Sequence, residues 1–309
     1  MKTAYKSIIT IVLVSLLVSL MSISVDKVQA QTYYLPDLVV TSIDAPGTMD
    51  VWENVTNMYY TVQNVGDSWA CPKGYWHRGD YVLLSKNDQP WDGDDDILWP
   101  QSTPVIWGCR LGPGASSTHQ PFFNVPWWRG RGDFYLIVVA DPDNSIIESN
   151  EQNNYLSVPV RIRQSDLVVT EITAPTPVGV GEYFGFSWTI QNVGDGKAIG
   201  AFCCSWDDRV YLSNDDQLSS DDTCLRVVYR AAANLPPGES YSGSYYAYIY
   251  NAGDYYLIVK TDDGSRYSVA ETNEENNVLS RLIIVGSRPP AVSTSPATYV
   301  TKTSATLNG

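Results

Sequence analysis

Two acidic, amide-rich heptapeptides carry the side chains best suited to chemistry in this 309-residue chain. Residues 148–154 read ESNEQNN and residues 271–277 read ETNEENN, and each heptapeptide follows an apolar run. Carboxylate, amide and backbone carbonyl oxygens are the ligands that Ca²⁺ prefers in proteins. The sequence therefore supports a hypothesis of structural calcium. The candidate ligands are Asp141, Asp143, Asn144, Glu148 and Glu151 in the first segment, and Asp262, Asp263, Glu271 and Glu274 in the second.

Turn architecture is the alternative interpretation of the same residues. Asp and Asn side chains hydrogen-bond to nearby backbone groups and tolerate left-handed conformations, so a hairpin between two strands needs them. The Asp-rich segments 88–96 and 215–222 allow the same two interpretations. At this point calcium ligation and turn formation both stay open.

Tryptophans indicate a second candidate site. Eight of the ten lie before residue 130, and the rest of the chain has only Trp188 and Trp206. Exposed aromatic rings stack on sugar rings or on a protein partner. The alternative is an enlarged local core beneath the loop that the first two cysteines enclose. The candidate ligand-binding residues are Trp76, Trp127 and Trp128.

Motifs of common enzyme classes are absent from the sequence. It contains no Gly-x-Ser-x-Gly, no His-Glu-x-x-His, no phosphate-binding loop and no dinucleotide-binding fingerprint. The two histidines, His77 and His119, have no counterparts in the second half of the chain. We therefore predict that the chain has no catalytic residues and is not an enzyme.

The N-terminus has the order of a secretory signal. Lys2 and Lys6 precede an apolar run over residues 8–21, and Val28-Gln29-Ala30 then supplies the small residues that a signal peptidase needs. The run is shorter than the about 20 residues that span a bilayer. We expect a signal peptide over residues 1–30, a secreted or cell-surface protein, and no membrane span in the mature chain; an uncleaved anchor is the alternative.

Five cysteines in an exported chain favour disulfides. Cys71 and Cys109 lie in the first half, whereas Cys203, Cys204 and Cys224 lie in the second. Neighbouring residues of a strand point to opposite faces, so only one of the two adjacent cysteines should reach Cys224. The sequence does not decide which one pairs.

The chain contains two copies of one unit. We predict domains at residues 31–164 and 165–286. Six landmarks recur in the same order: Asp-Leu-Val-Val from 37 and 166, Gln-Asn-Val-Gly-Asp from 63 and 191, Val-x-Leu-Ser from 82 and 210, Leu-x-Pro-Gly from 111 and 235, Tyr-Leu-Ile-Val from 135 and 256, and the heptapeptide.

Each landmark is typical of a strand or a turn. Bulky residues alternate with smaller ones, which is the period of a strand with one buried face. Gln-Asn-Val-Gly-Asp should end its strand, because Asn and Gly are able to take positive φ. Seven or so short strands per copy indicate an all-β fold of two tandem immunoglobulin-like sandwiches. The predicted inward rows are Met58, Tyr60 and Val62; Phe184, Phe186, Trp188 and Ile190; Phe134, Leu136 and Val138; and Tyr255, Leu257 and Val259.

This combination of motifs resembles the CARDB domain, the cell-adhesion-related domain of bacteria and archaea. The resemblance covers about residues 35–163 and 164–286. It implies a seven-stranded sandwich, often in tandem within large exported surface proteins, and it implies no catalytic residues. Residues 287–309 resemble the linker and truncated start of a fibronectin type III-like module, too short to bury a core, so we expect a poorly ordered tail and a longer parent protein.

The net charge of −14 opposes nucleic-acid binding, which needs basic patches to neutralise phosphate. Together with the resemblance, this leaves a cell-surface protein or a glycan as the expected partner. We expect a non-catalytic adhesion or spacer module within a larger chain. The alternatives are a carbohydrate-binding module that uses the Trp-rich loops, and accessory domains of a secreted hydrolase or protease.

Overall fold

The computed structural model describes residues 34–72, 79–100, 111–200, 205–230, 234–263, 269–286 and 295–298, with residues 301, 303 and 306–308. The predicted signal peptide lies outside these residues. Within them the chain forms strands and one short 3-10 helix, Trp127–Arg129, and no α-helix. The first copy contains β1 (Leu38–Asp44), β2 (Thr48–Asp50), β3 (Asn54–Val55), β4 (Tyr59–Asn64), β5 (Tyr81–Ser85), β6 (Asp96–Pro100), β7 (Ser116–His119), β8 (Phe123–Asn124), β9 (Gly132–Val139) and β10 (Tyr155–Arg163). The second contains β11 (Leu167–Thr173), β12 (Phe184–Asn192), β13 (Ala198–Ile199), β14 (Trp206–Ser213), β15 (Thr223–Arg230), β16 (Asn234–Leu235), β17 (Ser240–Ala247), β18 (Gly253–Thr261) and β19 (Val278–Val285).

Each copy is a sandwich of two sheets. In the first copy, one sheet has the order β1-β4-β7 and the other β2-β10-β9-β5-β6. In the second copy, the sheets are β11-β12-β17 and β15-β14-β18-β19. The short β2, which pairs in parallel with β10, is reduced in the second copy to a single bridge between Val178 and Val285. The prediction of an all-β fold with two tandem sandwiches is confirmed.

Alternation places one face of each strand in the core. The predicted inward residues of the first copy on and before β4 are all buried. On β12 the alternate residues Phe184, Phe186, Trp188 and Ile190 are buried too. The central strands β9 and β18 supply the facing row, in which Tyr255 is partly buried and packs against the core. Trp188 and Trp206 are each 1 % exposed, so both tryptophans of the second copy are core residues. Burial of such aromatic side chains is worth roughly 2–3 kcal/mol each.

A buried asparagine closes the turn after the second long strand of each copy. The side-chain oxygen of Asn192 accepts the backbone N–H groups of Asp166 and Gly194, each at 3.1 Å. Its amide group donates to two backbone carbonyl oxygens at 2.8 Å. Asn64 makes the four equivalent hydrogen bonds in the first copy. One asparagine side chain thus links the segment before the first strand of the sandwich to the end of the second long strand.

The glycine of the Gln-Asn-Val-Gly-Asp motif is required because a neighbouring backbone segment leaves no room for a side chain. A Cβ atom added to Gly66 would lie 2.4 Å from the backbone oxygen of Leu35, and one added to Gly194 would lie 2.5 Å from that of Gln164. Neither glycine has a positive φ. The strand therefore ends by close approach of two backbone segments, and the ability of glycine to adopt positive φ is not used here.

The two sandwiches meet at a short, buried connection. β10 ends at Arg163 and β11 begins at Leu167, and between them Gln164 and Ser165 are only 8 % and 2 % exposed. The Gln164 side-chain amide donates to the backbone oxygen of Glu271 at 2.8 Å. The second heptapeptide therefore begins at the junction between the copies.

A salt bridge and an apolar contact also cross the junction. Arg161 of β10 pairs with Asp133 in its own copy at 3.1 Å and with Asp195 in the second copy at 3.3 Å. Ala270 of the second copy packs against the core of the first. Beyond the second sandwich, β20 (Ser295–Thr298) and β21 (Thr306–Asn308) pair with each other in antiparallel fashion.

Candidate functional site

The first residue of each heptapeptide is a buried glutamate that holds the first strand of its copy. In the first copy, the Glu148 carboxylate accepts the backbone N–H of Leu38, and the Asn154 amide donates to it at 2.8 Å. In the second copy, Glu271 accepts the backbone N–H of Leu167 at 2.6 Å, and Asn277 donates to it at 3.1 Å. Both carboxylates thus take part in strand positioning.

Other residues of the heptapeptide donate hydrogen bonds to the aspartate that precedes this strand. Asn153 donates to Asp37 at 2.9 Å, and Asn276 donates to Asp166 at 2.9 Å. Thr272 adds a hydroxyl donor to Asp166 at 2.9 Å. These contacts give the heptapeptide a structural function in both copies, whatever else it binds.

Carboxylates crowd together in the second copy. One oxygen from each of Asp262, Glu271 and Glu274 lies within 4.8 Å of the other two. Asp262 is 9 % exposed and has φ of 50°, and its Oδ2 accepts the backbone N–H of Val269 at 2.7 Å. Burial raises the pKa of Glu271 to about 9 and that of Asp262 to about 8, and the neighbouring carboxylates add to both shifts.

Three oxygens of Asp262 and the second heptapeptide have no hydrogen-bond partner among the described residues. They are Oδ1 of Asp262, Asn276 and Asn277, and all three atoms are buried. A buried polar atom without a partner costs about 1–3 kcal/mol. A cation bound by the Asp262 carboxylate would remove that cost there and offset the repulsion between the carboxylates.

The equivalent first-copy residues are arranged more loosely. Burial raises the pKa of Glu148 to about 7, with Glu151 and Asp141 adding to the shift. Asp141, Glu148 and Glu151 do not bring one oxygen each within the 4.8 Å that joins their second-copy counterparts. Buried Oδ1 atoms of Asn153 and Asn154 nevertheless lack partners here too, within the described residues.

The remaining predicted calcium ligands have other roles or lie in solvent. Asp263 binds Lys260 at 2.7 Å and Arg209 at 3.5 Å. Asp143 and Asn144 are exposed, and Asn144 has φ of 54° in the turn that follows β9. A separate acidic group, Asp92, Asp94 and Asp95, lies in the loop between β5 and β6.

The predicted aromatic site is partly described. Trp127 and Trp128 are 51 % and 63 % exposed, and their ring centroids lie 6.3 Å apart in an edge-to-face arrangement. Trp52 stacks on Trp127 with centroids 6.4 Å apart. The two rings therefore form a supported aromatic surface rather than part of the core. Trp76 lies outside the described residues.

The cysteines differ from the expected pairing in one respect. Cys71 is disulfide-bonded, and Cys109, Cys203 and Cys204 lie outside the described residues. Cys224 is an exposed free thiol at the start of β15, so the expected disulfide to Cys203 or Cys204 is not formed. A bulge between Val210 and Tyr211 skips Leu225 of β15, and the Cys224 side chain next to it is exposed.

Sequence reasoning missed a cleft beside the first heptapeptide. It has a volume of about 570 Å³ and lies between the β5–β6 loop, the turn after β9 and the start of β10. Comparing the copies could have revealed it, because Trp91 and Tyr155 in the first copy correspond to Ser219 and Val278 in the second. The lining residues are Gln89, Pro90, Trp91, Val139, Ala140, Asp141, Pro142, Asn144, Glu151, Gln152, Asn154 and Tyr155.

Comparison with known proteins places this geometry in a family. The family model described as CARDB matches the chain twice, over residues 35–158 and 164–281. No curated protein matches it. No helix within the described residues is long and apolar enough to cross a membrane.

Solved structures include similar domains. The CARDB domain of the PF1109 protein from Pyrococcus furiosus, in complex with di-metal ions, is 24 % identical over 40 % of this chain and 90 % of that chain, with a TM-score of 0.32. The solution structure of the same domain is 25 % identical over 40 % and 95 %, with a TM-score of 0.31. A β-glucosidase from Listeria innocua is 14 % identical over 42 % and 17 %, with a TM-score of 0.26.

Proposed function

The chain belongs to the CARDB family, and we propose that it is an exported, non-catalytic adhesion and spacer module of the cell surface. CARDB domains are non-catalytic modules related to cell adhesion. The observation that carries the proposal is the buried connection between the copies, where Gln164 and Ser165 are almost fully enclosed. A spacer must hold its modules at a fixed separation, and a flexible linker would not do so.

Adhesion is tested with the full chain immobilised on beads. We expect the beads to be retained by cells, by immobilised extracellular proteins or by glycans, without chemical change of the ligand. Arg161→Ala should loosen the junction and broaden the interdomain distances measured by small-angle X-ray scattering. Lack of retention on every such surface, or turnover of a bound glycan or peptide, would contradict the proposal.

Calcium is proposed as a structural ion of the second copy, held by Asp262, Glu271 and Glu274. The support is the close approach of three carboxylates, one of which, Asp262, has a buried Oδ1 without a partner among the described residues. Because the Glu271 backbone also accepts from Gln164, an ion here would stabilise the junction between the copies. The looser set of Asp141, Glu148 and Glu151 would hold an ion more weakly.

Carbohydrate binding is the second candidate function. The specific observation in its favour is the exposure of Trp127 and Trp128 side by side, because sugar rings stack on such surfaces. The ligand would be a surface glycan, and the chain would then act as a carbohydrate-binding module or as an accessory domain that positions a secreted hydrolase or protease.

A further inference from the structure

The cleft of about 570 Å³ in the first copy is lined by hydrogen-bond acceptors and aromatic rings. Glu151 contributes an exposed carboxylate, whereas the buried Asp141 carboxylate accepts hydrogen bonds from Ser145 and Ile146. None of the lining residues is a lysine or arginine. A ligand that supplies positive charge and hydrogen-bond donors is therefore the one that the lining complements.

One lining side chain is buried and incompletely bonded. Asn154 is 7 % exposed, and its amide nitrogen donates to Glu148 at 2.8 Å. This bond fixes which end of the amide is the oxygen, and Oδ1 has no partner among the described residues. Asn154 thus lies at the cleft wall with a fixed amide orientation and a buried oxygen whose hydrogen bond is not made by any described residue.

Trp91 is held at the cleft in an unfavourable backbone conformation. Its φ is 70°, in the left-handed region that bulky residues avoid. The Asp95 carboxylate accepts its backbone N–H, and its ring packs edge-on against Tyr81 with centroids 6.0 Å apart. The indole remains 52 % exposed. Backbone strain of this kind concentrates at binding sites, where it pre-positions a side chain.

Tyr155, the first residue of β10, binds the β5–β6 loop at the edge of the cleft. Its hydroxyl donates to Gln89 Oε1 at 2.7 Å, and its ring lies against a second apolar cluster that includes Tyr81 and Ile137. In the second copy, Ser219 and Val278 replace Trp91 and Tyr155, so the aromatic part of this site belongs to the first copy alone.

The size and chemistry of the cleft favour an organic cation over a metal ion. A volume of 570 Å³ lies in the roughly 300–1,000 Å³ range of small-molecule pockets. Aromatic rings offer no oxygen ligands to Ca²⁺ but attract ammonium and guanidinium groups by cation–π interaction. We propose that this cleft binds a lysine or arginine side chain presented by a partner protein. The inference rests on the proposed adhesive function for its biological role and adds a class of partner to it.

The test uses the full chain and three short peptides: Ac-Gly-Arg-Gly-NH₂, Ac-Gly-Lys-Gly-NH₂ and the citrulline peptide, which has the shape of the arginine peptide without its charge. Binding is followed by NMR shifts of the Trp91 indole and the Asn154 amide. We expect the two charged peptides to bind and the citrulline peptide not to bind. Trp91→Asn, which tolerates the positive φ, and Glu151→Gln should each weaken binding about tenfold.

Matched controls lie in the second copy. Tyr250→Ala removes a ring that is 71 % exposed, and Glu275→Gln removes an exposed carboxylate of the second heptapeptide. Neither should change binding, and the melting temperature of every variant reports its folding. Equal binding of the arginine and citrulline peptides, or charged-peptide affinity unchanged in both cleft variants, would overturn the proposal.

Two further probes distinguish other ligands. Shifts of the cleft signals by spermidine but by neither charged peptide would replace the partner side chain with a free polyamine. Shifts by calcium alone would make the cleft a metal site. Either result would overturn the inference, whereas retention of coated beads on surfaces would still support adhesion, because the peptide assay involves no surface.

Discussion

The Glu271 carboxylate lies 2.6 Å from the backbone nitrogen of Leu167, which is 104 residues earlier in the chain. This contact joins the second heptapeptide to the first strand of its sandwich, directly beyond the junction with the first copy. Glu148 and Leu38 repeat it in the first sandwich. Each heptapeptide therefore stabilises the point at which the chain enters its domain.

Glu271→Ala should destabilise the second sandwich by about 1–3 kcal/mol, because it leaves the buried Leu167 N–H without an acceptor. Urea unfolding at pH 5.5 with chelator measures the change. Glu271→Gln should restore most of the loss, since its amide oxygen accepts the same bond. The exposed Glu275→Ala is the control, and a loss as large there would show that the effect is not specific.

Calcium should raise the melting temperature of the second sandwich. An ion that binds only the folded state adds about 2.7 kcal/mol at a concentration one hundred times its dissociation constant. Differential scanning calorimetry with calcium and with chelator measures the shift. Asp262→Asn should abolish most of it, whereas Asp263→Asn should preserve it because Asp263 pairs with Lys260. An unchanged melting temperature at saturating calcium would exclude a specific site.

Without calcium, the second sandwich should lose stability as the pH rises. The folded pKa of Glu271 is raised to about 9 from an ordinary value of 4.5. Between these values the folded state holds a proton that the unfolded chain has released, so the free energy of unfolding falls with pH. Urea unfolding in chelator at pH 5, 7 and 9 tests this. Glu271→Gln should reduce the slope, and the slope that remains belongs to Asp262, whose pKa is raised to about 8. Stability that increases over this range would contradict the assignment.

Gly194→Ala should destabilise the fold by about 3 kcal/mol, because its Cβ would meet rigid backbone rather than a mobile side chain. The added atom would lie 2.5 Å from the Gln164 backbone oxygen. Chemical denaturation measures the loss. Gly47→Ala is the matched control, since no atom lies within 4 Å of its added Cβ, and it should leave stability unchanged or slightly increased.

Trp127→Ala and Trp128→Ala test the carbohydrate alternative on a glycan array. Both rings are more than half exposed, so their removal should change stability by less than about 1 kcal/mol while abolishing any stacking-dependent glycan binding. Phe122→Ala, at a ring 58 % exposed, is the control. Glycan binding that persists in both tryptophan variants would place the contact surface elsewhere.

The core was largely predictable because strand burial follows a local period of two. Alternation in the segment around Trp188 identified the inward residues before any partner strand was known. The motif Gln-Asn-Val-Gly-Asp was correctly assigned to a strand end. Its mechanism was not, because the four hydrogen bonds of Asn192 and the backbone that excludes a Cβ at Gly194 come from segments distant in sequence.

The sequence predicted which residue types the candidate sites contain, but not which of those residues lie close together. Asp262 and Asp263 are adjacent and chemically identical, yet one lies beside Glu271 and the other pairs with Lys260. The cleft was missed because Trp91 and Tyr155 are 64 residues apart, and their approach depends on the packing of the β5–β6 loop against β10.

The sequence by itself determined that this chain is a duplicated all-β protein, because repeats and side-chain alternation are local properties that survive without coordinates. Only the tertiary structure decided which carboxylates cluster, which asparagine oxygens lack partners among the described residues, and where aromatic rings border a cleft. Those properties depend on distances between strands and loops far apart in the chain, and three-dimensional packing alone sets those distances.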